Sequence, residues 1–599
     1  MSRRGRVYAV VLLLFVLAAA GLFVYGNTFR NEFVYDDSAF VVNNPNIRTL
    51  SPAVKFFDPG TSSNNPTMNG DLWRPLTTFS YALTYRFFGL SPSAFHVISV
   101  IMHIANAFLV FWLVFLIAAR SAERTAVFRE PLITAFIASL VFLVHPVQSE
   151  SVAWISQRSN ELFLFFLAPA FIAYIYHRSS PRGGDQLLLC VSLFAFVLSL
   201  LSKEMAISLP FIIFAYEYII ASNSIKGCLK QSIPYFAAVI AFALARQLAL
   251  GKTAQTGYWA GGLIPQMLTM VKGFAYYVKL IFIPYPLSVD YLFRVKHTAD
   301  LEVLGCGLLL AGIIYLGWRL RKDMLLISFG IFLFFLSLIP VSNVFPLRFI
   351  INERFLYLAA AGFGIALAQA AVDLAAARRK LMGLPSAVVV GCGLALLIAV
   401  YCSITVNRNL AWRDQYSFAS ENLKTCPQCA TLHFAMGDAY ASKREYDKAI
   451  EEYSLSLNID PGNTGTLIDL GIIPPGENNS GSDIAQYRRS VQKRVELFNG
   501  LHALGVAYFN KGDYSKAVEI LEKACSLRPD DLQAKANLAN AYAYAGNLKK
   551  AIDLCLKILE KDPGMTGTRY DLAQFYIAAG QPEKAKEQYE LAKKASMTR

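Results

Sequence analysis

Long apolar runs recur along the first two thirds of the chain and stop after Val406. Most are near the length that crosses the roughly 30 Å hydrocarbon core of a bilayer, and short polar loops separate them. Beyond Val406 the sequence is polar, and its apolar positions follow a helical period. The pattern predicts an all-α protein in which a transmembrane helix bundle, 1–406, precedes a polar helical domain. Eleven spans are predicted, at 7–25, 95–119, 132–145, 160–177, 186–201, 205–221, 234–250, 301–318, 324–341, 355–376 and 385–406.

Basic residues fall in alternate loops between these spans, on the side of the N-terminus. The positive-inside rule makes that side cytoplasmic, and an odd number of spans places everything after Asn407 on the opposite face. This parity requires the apolar segment 265–284 to lie at the interface or to re-enter, a position that its Lys and Tyr residues suit. The first run, 7–25, is expected to be a retained helix, since no clear small-residue cleavage site follows it.

Composition agrees with a membrane protein, because 55% of the 599 residues are hydrophobic and only 16% are charged. The formal charge is +14, but the basic residues are scattered over short loops, so we exclude a nucleic-acid partner and expect membrane lipids instead. The nine cysteines are spread out, and the single C-x-x-C at Cys426 and Cys429 lacks the second pair that a structural zinc site needs.

A 34-residue period marks the C-terminal part. Gly437, Gly505, Ala539 and Ala573 share one small-residue position, and a tyrosine follows three residues later each time. This spacing is typical of tetratricopeptide repeats, whose stacked helix pairs form a groove for a protein partner. After a linker at 407–429, the predicted repeats are 430–463, a degenerate 464–497 interrupted by Pro474 and Pro475, 498–531, 532–565 and 566–599.

The first outer loop, 26–75, carries two adjacent carboxylates, Asp36 and Asp37. A carboxylate can take the proton of an acceptor hydroxyl while that hydroxyl attacks a sugar, and a second acidic group nearby can raise its pKa or hold a metal ion. An Asp-Asp pair alone is more often a solvated turn or a helix cap, so the pair gains weight only from its surroundings.

Further ionisable residues return to the same outer level. Arg74, Arg158, Lys203 and Arg354 are candidates for binding a donor phosphate, since arginine offers a fork of donors and lysine a point charge. Each could instead extend its side chain to the lipid headgroups, and sequence does not rank the four. The acidic site candidates at this level are Glu150, Glu204, Asp290 and Glu353.

An ordered set of short motifs runs through the membrane part and precedes the repeats. Together these motifs resemble the transmembrane-and-TPR-containing O-mannosyltransferase family. The motifs are Val34-Tyr35-Asp36-Asp37, Trp73-Arg74-Pro75-Leu76, Phe95-His96 with His103, His145-Pro146 through Glu150 and Arg158, Ser202-Lys203-Glu204, Pro286-Leu287-Ser288-Val289-Asp290-Tyr291, and Ser342-Asn343 with Glu353-Arg354.

The resemblance implies the C-type integral-membrane glycosyltransferase fold and an inverting transfer of a sugar, with mannose the first candidate. The implied donor is a polyprenyl-phosphate-linked sugar and the acceptor a protein Ser or Thr hydroxyl, while a glycan acceptor stays open. In that family the acidic pair of the first outer loop is taken as catalytic, and it falls on Asp36 and Asp37 here. The metal requirement is open, with a divalent ion as the candidate cofactor.

The compact chain and the short repeat array favour a bacterial inner-membrane protein, with a cytoplasmic N-terminus and periplasmic repeats. A second hypothesis is a non-enzymatic, membrane-anchored repeat scaffold for envelope assembly or secretion, which should tolerate neutralising the acidic pair. A lipid-sugar flippase is a third, although long-range inverted repeats are not evident.

Overall fold

The protein is described by a computed structural model that covers residues 3–61, 72–125, 130–180, 185–251, 258, 260–291, 293–347, 349–377, 380–381, 383–459 and 497–597. The chain divides into two compact units, Met1–Cys426 and Pro427–Arg599. Both are helical, which confirms the all-α fold class.

The first unit is a bundle of helices joined by short 3-10 turns. Its one pair of strands in the described chain, Lys380–Leu381 and Leu384–Pro385, forms a two-residue hairpin. The helices are α1 (Arg3–Tyr25), α2 (Pro75–Phe88), α3 (Pro92–Thr125), α4 (Pro131–Val144), α5 (Ser149–Ala153), α6 (Arg158–Ser179), α7 (Gln186–Ser202), α8 (Leu209–Ile219), α9 (Ile225–Leu250), α10 (Leu263–Phe282), α11 (Leu301–Leu320), α12 (Leu325–Ser337), α13 (Ala359–Ala376), α14 (Ser386–Leu410) and α15 (Gln415–Leu423).

Local sequence explains where many of these helices begin. Proline occupies the first turn of α2 and α4, where its missing N–H costs nothing. Asp185 caps α7, Asp300 caps α11 and Asp414 caps α15, each accepting a backbone N–H of the first turn. The core of the bundle forms where α4 packs against α3 and α13, and α13 against α12.

Small residues allow the closest helix contact in this core. A Cβ added to Gly330 of α12 would lie 2.5 Å from the carbonyl oxygen of Gly362 in α13, and the reverse substitution would meet the oxygen of Gly330 at 2.6 Å. The two backbones therefore touch, and neither position has room for a side chain.

Each of the eleven predicted spans falls on a helix, and the number that cross the membrane stays a prediction. Among the described residues, seven helices are long and apolar enough to cross a membrane, and the bent pair Pro131–Val144 and Pro146–Ala153 would make an eighth. The remaining three predicted spans are the shorter helices α7, α8 and α12. α10, over the segment predicted to be interfacial or re-entrant, is a 20-residue helix and is not among the seven.

Most of the predicted linker 407–429 belongs to the first unit. α14 extends to Leu410, α15 follows, and the first unit ends only at Cys426. Trp412 and Phe418 are fully buried within it. Sequence alone favoured a linker at this segment because polar residues surround these aromatic side chains.

The second unit is a stack of antiparallel helix pairs. Left-handed glycines end the first helix of successive pairs at Gly512, Gly546 and Gly580, with φ angles of 93°, 85° and 73°, and Arg444 takes the same position in the first pair at 62°. The predicted degenerate repeat 464–497 lies almost entirely outside the described residues. The helices are Ala430–Ser442, Tyr446–Ile459, 497–511, Tyr514–Leu527, Leu532–Tyr544, Leu548–Lys561, Thr566–Ala578 and Pro582–Met597.

Candidate active site

A cavity of about 130 Å³ in the first unit brings together residues that are distant in sequence. Its wall contains an acidic residue from the loop between α1 and α2, a basic residue that precedes α2, a Lys-Glu pair that follows α7, and an arginine between α12 and α13. Among the predicted site residues, the cavity is lined by Asp36, Arg74, Lys203, Glu204 and Arg354.

Asp36 lines this cavity from a sharply bent stretch of backbone. Tyr35, directly before it, has φ of 51°, in the left-handed region that a bulky residue rarely adopts, at a cost of about 1–3 kcal/mol. Its ring stacks on Phe418 at 5.0 Å and lies 5.7 Å from Trp154. These contacts hold the bend and thereby set the direction of Asp36.

Asp37 points the other way, into the protein, and does not line the cavity. It is fully buried and accepts hydrogen bonds from the backbone N–H of Val34 at 3.1 Å, the backbone N–H of Ser156 at 2.8 Å, and the hydroxyl of Ser156. Burial raises the pKa of Asp37 to about 7, against the lowering effect of these hydrogen bonds. Asp37 therefore anchors the loop, while Asp36 faces the open space.

Arg74 and Glu204 form a two-pronged ion pair at the cavity wall. The Nη2 and Nε atoms of Arg74 lie 2.5 and 3.1 Å from the two carboxylate oxygens of Glu204. Burial opposes ionisation of Glu204, but the charge and hydrogen bonds of Arg74 outweigh it and hold the pKa of that carboxyl well below its usual range. The pair fixes the guanidinium plane beside the cavity.

Lys203 ends α7 in an extended conformation and is only 2% exposed. Its Nζ donates to Oδ1 of Asn160 at 2.5 Å. Burial, with Arg74 and Arg354 nearby, lowers the pKa of this ammonium well below its usual value. A negatively charged ligand in the cavity would reverse that effect and favour the protonated form.

Arg354 completes the basic wall and is held by Glu150. Its Nη1 lies 2.5 Å from Oε1 of Glu150, and its backbone N–H donates to Oε2 at 2.7 Å. The side chain of Glu150 is fully buried, and that of Arg354 is 8% exposed. Glu150 thus acts on the cavity through Arg354.

Arg158 lies elsewhere. It is fully buried and donates to the Thr84 hydroxyl at 2.9 Å and to the Phe95 carbonyl at 3.1 Å, with its guanidinium 5.1 Å from the Tyr81 ring. It does not line the cavity. Its contacts join α2, α3 and α6 behind the site, which is a structural arrangement.

Glu353 and Asp290 belong to a neighbouring cluster. Glu353 accepts from the Tyr291 hydroxyl at 2.7 Å and from the backbone N–H of Ser288, and Arg408 lies 3.8 Å away. Burial raises the pKa of Glu353 to about 7 despite Arg408. Asp290 is half-buried beside this cluster and accepts the N–H of Tyr291 at 2.9 Å. Neither carboxylate lines the cavity.

Sequence reasoning missed several polar residues of the cavity wall. Thr77, Thr78 and Tyr81 come from α2, a helix that the sequence did not predict, and Ser156 and Gln157 from the turn before α6. All five lie within eight residues of a recognised motif residue, and that proximity was the available signal.

The cavity offers two carboxylates, Asp36 and Glu204, among its described lining residues. Within the described part of the chain, no group of three or more His, Cys, Asp or Glu side chains is placed to hold a metal ion. The charge that faces a ligand here comes mainly from Arg74, Lys203 and Arg354.

The repeat part of the chain matches known protein families and a solved structure. Tetratricopeptide-repeat family models match residues 430–463, 502–566 and 543–596. A crystal structure of YrrB, a TPR protein with an unusual peptide-binding site, is 19% identical and covers 34% of this chain and 83% of its own, with a TM-score of 0.23.

Curated relatives match both units. A protein O-mannosyl-transferase of Caenorhabditis elegans is 25% identical over 77% of this chain and 64% of its own length. Protein O-mannosyl-transferase TMTC1 of Homo sapiens is 23% identical, over 79% of this chain and 58% of its own. The chain thus spans about 60% of the length of these two relatives. The resemblance suggested by the motifs is confirmed: along most of its length the chain is similar to protein O-mannosyl-transferases, and its second unit is a tetratricopeptide-repeat domain.

Proposed function

We propose that the protein is a membrane glycosyltransferase that moves a sugar, with mannose the first candidate, from a polyprenyl-phosphate donor to a Ser or Thr hydroxyl of a protein. The observation that carries this proposal is the shared cavity, which Asp36 lines together with three basic residues, while the second acidic lining residue, Glu204, is paired with Arg74. A general base and an anion site are the two elements that this reaction requires. The names of the relatives point to the same chemistry.

The reaction needs one displacement. The acceptor hydroxyl gives its proton to Asp36 while its oxygen forms a bond with the anomeric carbon. The bond between that carbon and the donor phosphate breaks, and its electron pair leaves with the phosphate oxygen. Attack from the face opposite the phosphate inverts the configuration of the sugar.

Arg74, Lys203 and Arg354 would hold the phosphate as negative charge grows on it. A well-placed donor at a developing negative charge is worth about 3 kcal/mol. We leave Arg158 out of this role because it does not line the cavity and its guanidinium is taken up by α2 and α3. Asp37 and Glu150 support the site through Asp36 and Arg354.

The repeat unit would recognise the acceptor protein or another protein partner through its groove, as stacked helical repeats commonly do. We place the cavity and the repeats on the extracytoplasmic face of the membrane, from the distribution of basic loops, and in a bacterial cell this face is the periplasm. A reporter fused after Met597 tests that orientation, since its activity depends on the compartment.

The test is transfer of labelled mannose from polyprenyl-phosphate mannose in membranes that carry the full-length chain. Asp36→Asn keeps the shape of the side chain but cannot accept the proton, and we expect transfer to fall by about 100-fold or more. The matched control is Asp58→Asn, an exposed carboxylate of the same loop that does not line the cavity, which should retain wild-type transfer.

Full transfer by Asp36→Asn at matched protein levels would reject the base assignment. Absence of transfer in the wild type, across several sugars and acceptors, would instead favour a repeat scaffold anchored in the membrane. Repeating the assay with EDTA, followed by added Mg²⁺ or Mn²⁺, tests whether a divalent ion takes part.

A further inference from the structure

The segment that follows α14 contacts the loop that carries the proposed base, Asp36, although the two are about 380 residues apart in sequence. The backbone N–H of Glu32 donates to the carbonyl of Arg413 at 2.8 Å, and the N–H of Tyr35 donates to Oε1 of Gln415 at 2.9 Å. The second contact lies directly before Asp36. Gln415 is the first residue of α15, so its side chain projects from a capped helix end.

The start of the same loop is attached to the end of α14. Nδ2 of Asn409 donates to the carbonyl of Val24 at 2.9 Å and to Oδ1 of Asn27 at 3.0 Å, and the hydroxyl of Ser149 donates to Oδ1 of Asn409 at 2.7 Å. Asn409 is fully buried, so these bonds are shielded from water. The first part of the loop, up to the residue before Asp36, therefore contacts both α14 and the segment that follows it.

The bend at Tyr35 depends on these contacts. Its positive φ is unfavourable for a tyrosine unless surrounding groups hold it. Gln415 holds its N–H, while Phe418, one helical turn along α15, stacks on its ring. Both come from one face of one short helix.

We propose that Gln415 is a positioning residue for Asp36, with Phe418 as its support. This inference rests on the proposed function, since it assigns to α15 the task of aiming the base of that reaction. Gln415 does not line the cavity that we propose for the substrates, so it acts through the backbone of Tyr35.

The test compares two variants of the full-length protein. Gln415→Met keeps the length of the side chain but loses the acceptor oxygen, whereas Gln415→Glu keeps an acceptor. We expect Gln415→Met to lower kcat by about tenfold, with the donor KM within twofold of wild type. We expect the separate variant Gln415→Glu to retain most of the wild-type kcat. The matched control, Glu421→Gln, changes an exposed residue of α15 whose side chain pairs with Lys424 and should leave kcat unchanged.

A second measurement does not depend on activity. Hydrogen–deuterium exchange over residues 32–40 should be faster in Gln415→Met than in wild type, while exchange over α6 stays the same. Unchanged exchange over 32–40 overturns the inference, and so does wild-type kcat in Gln415→Met. The proposed function fails separately, if Asp36→Asn retains transfer.

Discussion

Replacing Arg354 tests whether a buried ion pair serves folding, the reaction or both. Arg354→Met removes the charge and leaves Glu150 fully buried without its partner at 2.5 Å. Removing one member of a buried pair costs about 3–5 kcal/mol, because the remaining charge stays out of water. Glu150 keeps the bond from the backbone N–H of residue 354, so we expect a loss near the lower end, about 3 kcal/mol.

The double variant Glu150→Gln with Arg354→Met separates the two roles. It removes both charges, so the stability cost should shrink to about 1 kcal/mol. If Arg354 also holds the donor phosphate, transfer stays depressed by about 100-fold in the double variant. The assays are thermal unfolding of the purified protein in detergent and labelled-sugar transfer in membranes.

The result that refutes this reasoning is recovery of both properties in the double variant. Arg354 would then serve only to neutralise Glu150, and the basic wall of the cavity would reduce to Arg74 and Lys203. Equal stability of the single and double variants would refute the ion-pair energy itself.

Three further outcomes follow from the same geometry. The folded-state pKa of Asp37, about 7, lies above its usual value of 3.8, so the unfolded chain loses that proton first as pH rises. The free energy of unfolding therefore falls between about pH 4 and about pH 7. Asp37→Asn should show a shallower fall in Tm over this range, and an unchanged slope would contradict the raised pKa of Asp37. Arg74→Lys keeps the charge but loses the two-pronged hydrogen bonding to Glu204, so sugar transfer should drop about tenfold with Tm nearly unchanged. Wild-type turnover in this variant would show that the two-pronged contact is dispensable. Gly330→Ala must push α12 away from the facing carbonyl of Gly362, which would lie 2.5 Å from the new Cβ, and should lower the free energy of unfolding by about 1–3 kcal/mol. Gly391→Ala, whose Cβ would meet nothing within 4 Å, should leave it unchanged. Equal Tm values for the two variants would argue against the close helix contact.

Hydrophobic periodicity was enough to predict the bundle and the repeats. Apolar runs placed a helix at every predicted span, and the 34-residue spacing located the repeats at 430–463 and beyond 498. Both features are local, because burial along one element fixes them. The number of spans stays a prediction, since α7, α8 and α12 are apolar but shorter than 18 residues.

Sequence could not predict which of the candidate residues line the cavity and which are buried behind it. Asp36 and Asp37 are adjacent and chemically identical, yet the backbone bend at Tyr35 turns one toward the cavity and the other onto Ser156, 119 residues away. Arg158 and Lys203 both stand at helix ends, and packing alone separates them. Such differences depend on contacts between distant segments, which no local pattern records.

The bond between Tyr35 and Gln415 joins residues 380 positions apart, and this has a consequence for biosynthesis. The loop of Asp36 emerges early, after α1, but Gln415 and Phe418, which hold its bend, belong to α15, the last helix of the first unit to be made. A nascent chain that has not yet passed Phe418 holds every basic residue of the cavity wall and lacks the support that aims its carboxylate. The site is therefore completed only after Phe418 has been synthesised, whatever the order in which the preceding helices enter the membrane.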